Sequence, residues 1–362
     1  MIRIAAPEIG AREEAAVRRV LRSGRLAQGP EVEAFERELA ERVGARDAVA
    51  VTNGTTALEL ALLALGIGPG DEVVTSPLTF FASVSSILRC GATPVLADID
   101  PETYNVDPDA VAAAITPRTA AIMPVHLYGR PCDMAALRRV ARRAGTAIVE
   151  DACQAIGARF GGTSAGAFGV GCYSFYGSKN ITAGEGGAVV VQEARVARRL
   201  RSLRSQGSQR QYRHQEVSSN YRMTDLQGAI LRAQLRKLDA ITRRRQRNAR
   251  AYDRLIDGSH VVTPPSNEGP YESNYHQYTL RVRGGRRDAL AEDLHDAGIE
   301  ARVYYPRAVH QQPAWPHAPG AFPHAERACR EVLSIPVHAA MKVDDVRAVA
   351  DRVNAFGRAG ER

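Results

Sequence analysis

Lys179 stands in Ser174-Phe175-Tyr176-Gly177-Ser178-Lys179-Asn180, just ahead of the glycine turn Gly184-Glu185-Gly186-Gly187. Lysine occurs elsewhere only at positions 237 and 342, in a chain with 48 basic residues. Arginine carries nearly all the positive charge, so a lysine here invites a chemical reading. Unlike a guanidinium, its amine can lose a proton at accessible pH and attack a carbonyl. Two other segments hold complementary groups. In Thr52-Asn53-Gly54-Thr55-Thr56-Ala57-Leu58, Gly54 permits a sharp turn from strand to helix. The N–H groups of Thr55, Thr56 and Ala57 would then open the helix as a phosphate cradle, with threonine hydroxyls beside them. In Ala147-Ile148-Val149-Glu150-Asp151-Ala152-Cys153-Gln154, an apolar strand delivers Asp151 to its carboxyl end. A carboxylate there can keep a heteroaromatic nitrogen protonated. Each segment has a plainer reading when taken singly: a solvated lysine beside a glycine hairpin, an Asn/Thr helix cap, a capping aspartate.

These residues need a scaffold, and the pattern from about residue 48 to 192 supplies one. Apolar runs predict strands at Ala48–Val51, Glu72–Thr75, Thr93–Ala97, Ala120–Val125, Ala147–Glu150, Gly171–Phe175 and Ala188–Val191. Helical patterns fall between them at Thr55–Leu65, Thr79–Leu88, Asp107–Ala114 and Asp133–Ala144. Such alternation predicts an α/β domain on a mostly parallel sheet, with its site at the strands' carboxyl ends. A long arginine-bearing helix, about Asp225 to Ile256, leads away from it. Past Pro264-Pro265-Ser266-Asn267 the pattern changes to strands at Tyr278–Val282 and Ile299–Tyr304, with helices at Arg287–Ala297, Pro323–Val332 and Val343–Ala355. This predicts a large domain over residues 1–240, with an N-terminal arm of about 1–28, and a smaller α+β domain over 241–362.

Composition narrows the function classes. The chain has 362 residues, 44% apolar and 24% charged, which is ordinary globular usage. No apolar run approaches the ~18 residues of a membrane span, and the start lacks a secretory pattern. Cys90, Cys132, Cys153, Cys172 and Cys329 are scattered without metal spacing, as expected of reduced thiols in a cytoplasmic protein with no metal site. The net charge of +8 is densest over Arg201–Arg213 and Arg243–Arg247. No aromatic stacking motif is interleaved there, so a solvated arginine face is expected rather than a nucleic-acid partner.

Together the three segments hold a phosphate cradle, a cation-stabilising acid and an amine nucleophile, the groups that pyridoxal 5′-phosphate (PLP) requires. With Gly54-Thr55-Thr56-Ala57-Leu58, Glu150-Asp151-Ala152-Cys153-Gln154-Ala155, Ser174-Phe175 through Lys179-Asn180, Gly184-Glu185-Gly186-Gly187 and Asn220-Tyr221-Arg222-Met223-Thr224 in that order, the chain resembles the DegT/DnrJ/EryC1/StrS aminotransferase family. Gly68 to Phe80, Val125 to Asp133, Tyr304-Tyr305-Pro306 and Phe322 to Glu326 extend the likeness. It runs from Ala6-Pro7 to the C-terminal helix.

The resemblance implies a fold type I PLP-dependent transferase. It implies Lys179 as Schiff-base lysine and proton shuttle, Asp151 as partner of the pyridine nitrogen, and Gln154 near the ring hydroxyl. Thr55, Thr56 and Ser174 would hold the phosphate, and Phe80 would stack on the ring. Asn220 would reach the phosphate of a neighbouring subunit's cofactor, which makes a homodimer with shared active sites. Arg222 would meet a substrate carboxylate, while Tyr305 and His310 belong to a segment expected to shape the acceptor pocket. The implied reaction moves an amino group from glutamate to a nucleotide-linked keto-sugar in amino-sugar biosynthesis. A keto-cyclitol such as scyllo-inosose, in an aminocyclitol antibiotic pathway, fits the same motifs. A regulatory relative without chemistry is the third reading, against which Lys179, Asp151 and Asn220 stand intact. Cys153 in place of a small residue, and Ser178 where threonine is frequent, are mild departures. Relatives with histidine for the lysine perform dehydration, and Lys179 argues against that variant.

Overall fold

The computed structural model describes residues 1–210, 212–316 and 320–359. A seven-stranded sheet forms the centre: β1 (Asp47–Val51), β2 (Glu72–Thr75), β3 (Thr93–Leu96), β4 (Thr119–Met123), β5 (Ala147–Asp151), β8 (Val170–Ser174) and β9 (Gly187–Val191). Two short strands, β6 (Arg159–Phe160) and β7 (Thr163–Ser164), lie outside it. The spatial order is β1-β9-β8-β5-β4-β2-β3, parallel throughout except for β9. Strands β2, β8 and β9 are buried at every residue, as expected of a sheet with helices on both faces.

The helices of this lobe are α1 (Ala11–Ser23), α2 (Pro30–Val43), α3 (Gly54–Leu65), α4 (Ala82–Arg89), α5 (Pro108–Ala114), α6 (Met134–Ala144), α7 (Ala194–Arg204) and α8 (Asp225–Leu235). On one face, Leu58, Ala61 and Leu62 of α3 pack with Val189, Val191 and Leu200. On the other, Phe35 and Leu39 of α2 pack with Ala48, Phe175 and Leu231. Phe35 meets Phe175 edge-on with centroids 5.4 Å apart. Each fully buried ring of this kind contributes about 1.5–3 kcal/mol by area removed from water. Phe175 thereby anchors the start of the segment that carries Lys179.

The small lobe contains α9 (Leu238–Leu255), strands β10 (Val261–Val262), β11 (Tyr278–Val282) and β12 (Val332–Ile335), and helices α10 (Arg287–Asp296), α11 (Pro323–Glu331) and α12 (Val343–Ala359). Its core joins Tyr252, Tyr278, Leu280, Leu333 and Val349. A further cluster links the lobes, with Leu78, Val125 and Tyr128 packed against Ala308, Ala325 and Val332.

The structure corrects the expected elements at several points. The single helix expected over Asp225–Ile256 is two, because the N–H of Lys237 bonds the carbonyl of Gln234, three residues back, and tightens the turn. No glycine or proline marks the break. It lies where α8, seated on α1 and α2, gives way to α9, seated on α12. Over Ile299–Tyr304 there is no strand. Ile299 bridges Ile2 and Arg302 bridges Ser334, so two isolated bridges reach different partners. Part of the expected N-terminal arm is helical, since α1 buries Ala16 and Val20 against Ala229 of α8.

Candidate active site

Strands β1, β5 and β8 run parallel, so the segments after their carboxyl ends open on the same edge of the sheet. They enclose a cavity of about 850 Å³ whose walls include Gly54, Thr55, Thr56, Phe80, Asp151, Gln154, Ser174, Lys179 and Tyr305. All three segments singled out in the sequence therefore converge on one place. Asn220, Arg222 and His310 are not part of its lining.

At the start of α3, the Asn53 side chain accepts from the Thr56 N–H at 2.9 Å, and the Asn53 carbonyl accepts from Ala57 at 3.1 Å. This corrects the expected cradle. Two of the three N–H groups assigned to it are satisfied internally, and those left without an acceptor among the described residues belong to Gly54 and Thr55. The Thr52 and Thr56 hydroxyls lie 3.1 Å apart. A Cβ on Gly54 would sit 2.7 Å from the Ser174 Cβ, so only glycine lets this helix end close on β8. Bare N–H groups at a helix N-terminus, flanked by Thr55 and Ser174, fit a phosphate.

Side chains on a strand alternate in direction, and β5 uses this to separate two adjacent carboxylates. Asp151 lines the cavity. Its Oδ2 accepts from Ser83 Oγ at 2.7 Å and its Oδ1 from the Cys153 N–H at 3.2 Å. Thr79 Oγ1 lies 2.8 Å from Ser83 Oγ. Glu150 is fully buried and accepts from the N–H groups of Gly166, Phe168 and Gly169 and from His126 Nε2. His126 Nδ1 accepts from the Cys132 N–H at 3.0 Å, which places the imidazole proton on Nε2, facing Glu150.

Lys179 follows Phe175, Tyr176 and a turn closed by its own N–H on the Tyr176 carbonyl at 2.9 Å. Its Nζ makes no hydrogen bond or ion pair among the described residues. Desolvation holds its pKa below the ordinary lysine range, with Cys153 and Asp151 acting in the opposite sense. Burial favours the neutral amine, the nucleophilic form. The same burial, aided by Asp151, pushes the Cys153 thiol well up, so the sulfur is held protonated. Gln154 is fixed at both ends: its Oε1 accepts from the Tyr128 N–H at 2.7 Å and its Nε2 donates to the Tyr305 hydroxyl at 3.1 Å. Phe80 stands 6.0 Å from the Tyr305 ring and is 58% exposed, which leaves a large apolar face uncovered at the cavity.

Ser83, Tyr128 and His276 were not singled out from the sequence. Thr79 and Ser83 stand four apart beside apolar neighbours, a signal that could have pointed to Ser83. His276 carries none, since it meets Asn180 across 96 residues, with 3.1 Å from Nδ1 to Oδ1. Among the other expected residues, Asn220 is exposed and its Oδ1 accepts from the Arg222 N–H at 3.3 Å. His310 Nε2 faces Glu326 Oε1 at 3.1 Å, and its ring packs on Phe322. Among the described residues, no helix is long and apolar enough to cross a membrane.

Comparison with known proteins gives this geometry a context. The profile of the DegT/DnrJ/EryC1/StrS aminotransferase family matches residues 7–354. A dTDP-3-amino-3,4,6-trideoxy-alpha-D-glucose transaminase of Streptomyces venezuelae is 42% identical over 365 residues, covering 98% of this chain and 96% of its own. A pleiotropic regulatory protein of Geobacillus stearothermophilus is 40% identical over 347 residues, covering 94% of this chain and 92% of its own. The crystal structure of S. venezuelae DesV in complex with a ketimine intermediate superposes with a TM-score of 0.92 at 42% identity, covering 95% of this chain and 94% of that one.

Proposed function

Since the chain belongs to the DegT/DnrJ/EryC1/StrS family and is a PLP-dependent aminotransferase, we propose that it moves the amino group of L-glutamate to a nucleotide-linked keto-sugar. Glutamate leaves as 2-oxoglutarate and the sugar carbonyl becomes an amine. The observation that carries the reading is the convergence of Lys179, Asp151 and the Gly54–Thr55 helix end on one cavity. At about 850 Å³ it lies toward the upper end of small-molecule pockets, roughly 300–1,000 Å³, which suits a cofactor together with a bulky acceptor.

The residues fit the cofactor. Gly54 and Thr55 offer unpaired N–H groups, Ser174 and the threonines offer hydroxyls, and Asp151 keeps lone pairs directed at the cavity. When bound, PLP supplies a protonated pyridine ring that takes up electrons from the carbon carrying the amino group. Lys179 Nζ would hold the cofactor through its carbonyl carbon, with the carbonyl oxygen leaving as water, and, once displaced by the incoming amino group, would take and return the proton at the amino-bearing carbon. Asp151 would accept the hydrogen bond of the protonated ring nitrogen and so keep that proton in place. Ser83 Oγ and the Cys153 N–H both donate to that carboxylate and fix its orientation toward the cavity. Gln154, clamped by Tyr128 and Tyr305, would present its amide to the ring hydroxyl, and Phe80 would cover the ring face. Asn220, exposed and outside its own chain's pocket, serves the phosphate of a second copy in a homodimer. His310, engaged by Glu326 and Phe322, takes no part in the lining.

The test offers the purified enzyme glutamate together with nucleotide-linked keto-sugars and scyllo-inosose in parallel. Amination of a nucleotide-linked ketone supports the proposal, and turnover of the cyclitol alone overturns it. Borohydride treatment of the loaded enzyme should fix the cofactor on the peptide containing Lys179. A label on Lys237 or Lys342 would remove the basis of the assignment. A purely regulatory role, the activity class named by the G. stearothermophilus relative, would show neither amination nor a fixed label.

A further inference from the structure

We propose that a single ordered water lies behind Lys179, bridging Glu8 to Asn180 and Arg245, and that it makes the N-terminal segment a positioning element for the lysine loop. Ser178 and Lys179 form a wall between the main cavity and a second, small one, which Glu8, Asn180 and Arg245 also line. The small cavity has about 10 Å³ of room, close to the roughly 10–15 Å³ that one water requires.

Three polar atoms around it have no partner among the described residues: Asn180 Nδ2, Arg245 Nε and Glu8 Oε1. Asn180 is 8% exposed and Arg245 is 6% exposed, and an unpaired buried donor costs about 1–3 kcal/mol. Other atoms of these side chains are already committed. Arg245 Nη1 donates to the carbonyls of Tyr275 and His276 at 2.9 and 3.1 Å. Glu8 Oε2 pairs with Arg244 at 2.7 Å, and Asn180 Oδ1 meets His276 Nδ1.

The unmet set contains two donors and one acceptor. A chloride could receive from Asn180 and Arg245 but would face the Glu8 carboxylate. A sodium or ammonium ion would satisfy Glu8 and oppose both donors. A water accepts twice and donates to Glu8, so it alone completes the set. It closes a chain from Glu8 through Asn180 to His276, which lines the main cavity beside Lys179. Glu8 is itself anchored, since its carbonyl accepts from Gln234 Nε2 at 2.9 Å and from Lys237 Nζ at 3.1 Å.

A high-resolution crystal structure of the holoenzyme should show density bonded to all three atoms. A dry cavity, or a direct contact of Arg245 Nε or Asn180 Nδ2 with Glu8, overturns the site. The positioning role is read by hydrogen exchange at the amides of residues 178–182 in the holoenzyme. Glu8→Gln keeps an acceptor oxygen and should match the parent protein. Arg244→Met removes the ion pair on the far oxygen and a bond to the Ala240 carbonyl on its own helix, neither of them facing the water, and should match it too. Glu8→Met leaves the water without its acceptor and should speed exchange roughly three- to tenfold, the effect of losing one hydrogen bond. Exchange in Glu8→Met equal to the parent protein would overturn the positioning role.

Discussion

Glu150 and Asp151 are neighbours on one strand, yet their surroundings are opposite. Glu150 is surrounded by donors: three backbone N–H groups and a histidine of fixed tautomer occupy its two oxygens. Asp151 receives two donors and keeps its remaining lone pairs for the cavity. Strand alternation assigns the two faces, and the hydrogen bonds then decide what each carboxylate can do. A saturated buried carboxylate is part of the framework. One with spare accepting capacity beside an unpaired amine is positioned for chemistry.

The contrast can be broken by substitution, most strongly at the amine. Lys179→Ala should lower kcat by about 10³-fold or more, since it removes the proposed nucleophile and proton carrier, while circular dichroism and thermal melting stay near the parent values. Asp151→Asn should follow, with kcat down about 10²–10³-fold for loss of a preorganised charge and little change in denaturant midpoint. Glu150→Gln should do the reverse. The amide nitrogen would oppose either Gly166 and His126 or Phe168 and Gly169, all donors, and His126 cannot switch tautomer while Cys132 donates to its Nδ1. Two orphaned donors cost about 2–5 kcal/mol in chemical unfolding, with kcat per folded molecule within about threefold of the parent. Loss of activity in Glu150→Gln without loss of stability would place Glu150 in the chemistry and not in the framework.

Two smaller effects sharpen it. Ser83→Ala should weaken the loaded enzyme's hold on its cofactor and lower kcat about tenfold, the effect of one charge-assisted hydrogen bond. Ser83→Thr, which keeps the hydroxyl, should restore both, with cofactor affinity read from equilibrium titration. The smallest effect concerns pH. Burial, with Lys179 and Arg245 nearby, holds His276 well below the ordinary histidine pKa. Below about pH 6.5 the unfolded chain therefore binds a proton that the folded chain refuses, and stability falls as acid is added. His276→Gln should flatten that part of the midpoint-versus-pH curve and leave its alkaline side unchanged.

The sequence exposes what lies along the chain better than what meets across it. The seven sheet strands are readable because each is a short apolar run, and Lys179, Asp151 and Thr55 are readable because they follow such runs directly. Helix α1 was also available in principle, with Ala16 and Val20 four apart between Gly10 and Gly24. The α8–α9 break was not, because Arg236 and Lys237 are good helix formers and only the lobes they join separate them. Nor was the capping of Thr56 by Asn53 distinguishable from a free cradle, since the same residues serve either arrangement. Ser83 reaches Asp151 across 68 residues and His276 reaches Asn180 across 96, pairings that only the folded sheet creates.

The reversed strand β9 also orders the molecule in time. β8 and β9 pair across residues 175–186, a short excursion that holds Lys179, whereas β1 joins β9 across residues 52–186. Closing a longer loop costs more entropy and is slower, so the lysine hairpin should form first and the edge strand β1 dock later. Docking of β1 brings the Gly54 turn against Ser174. The Gly54 end of the pocket, the proposed phosphate anchor, is thus among the later parts to form, and a free cofactor would meet a nascent chain that has its lysine before it has that anchor.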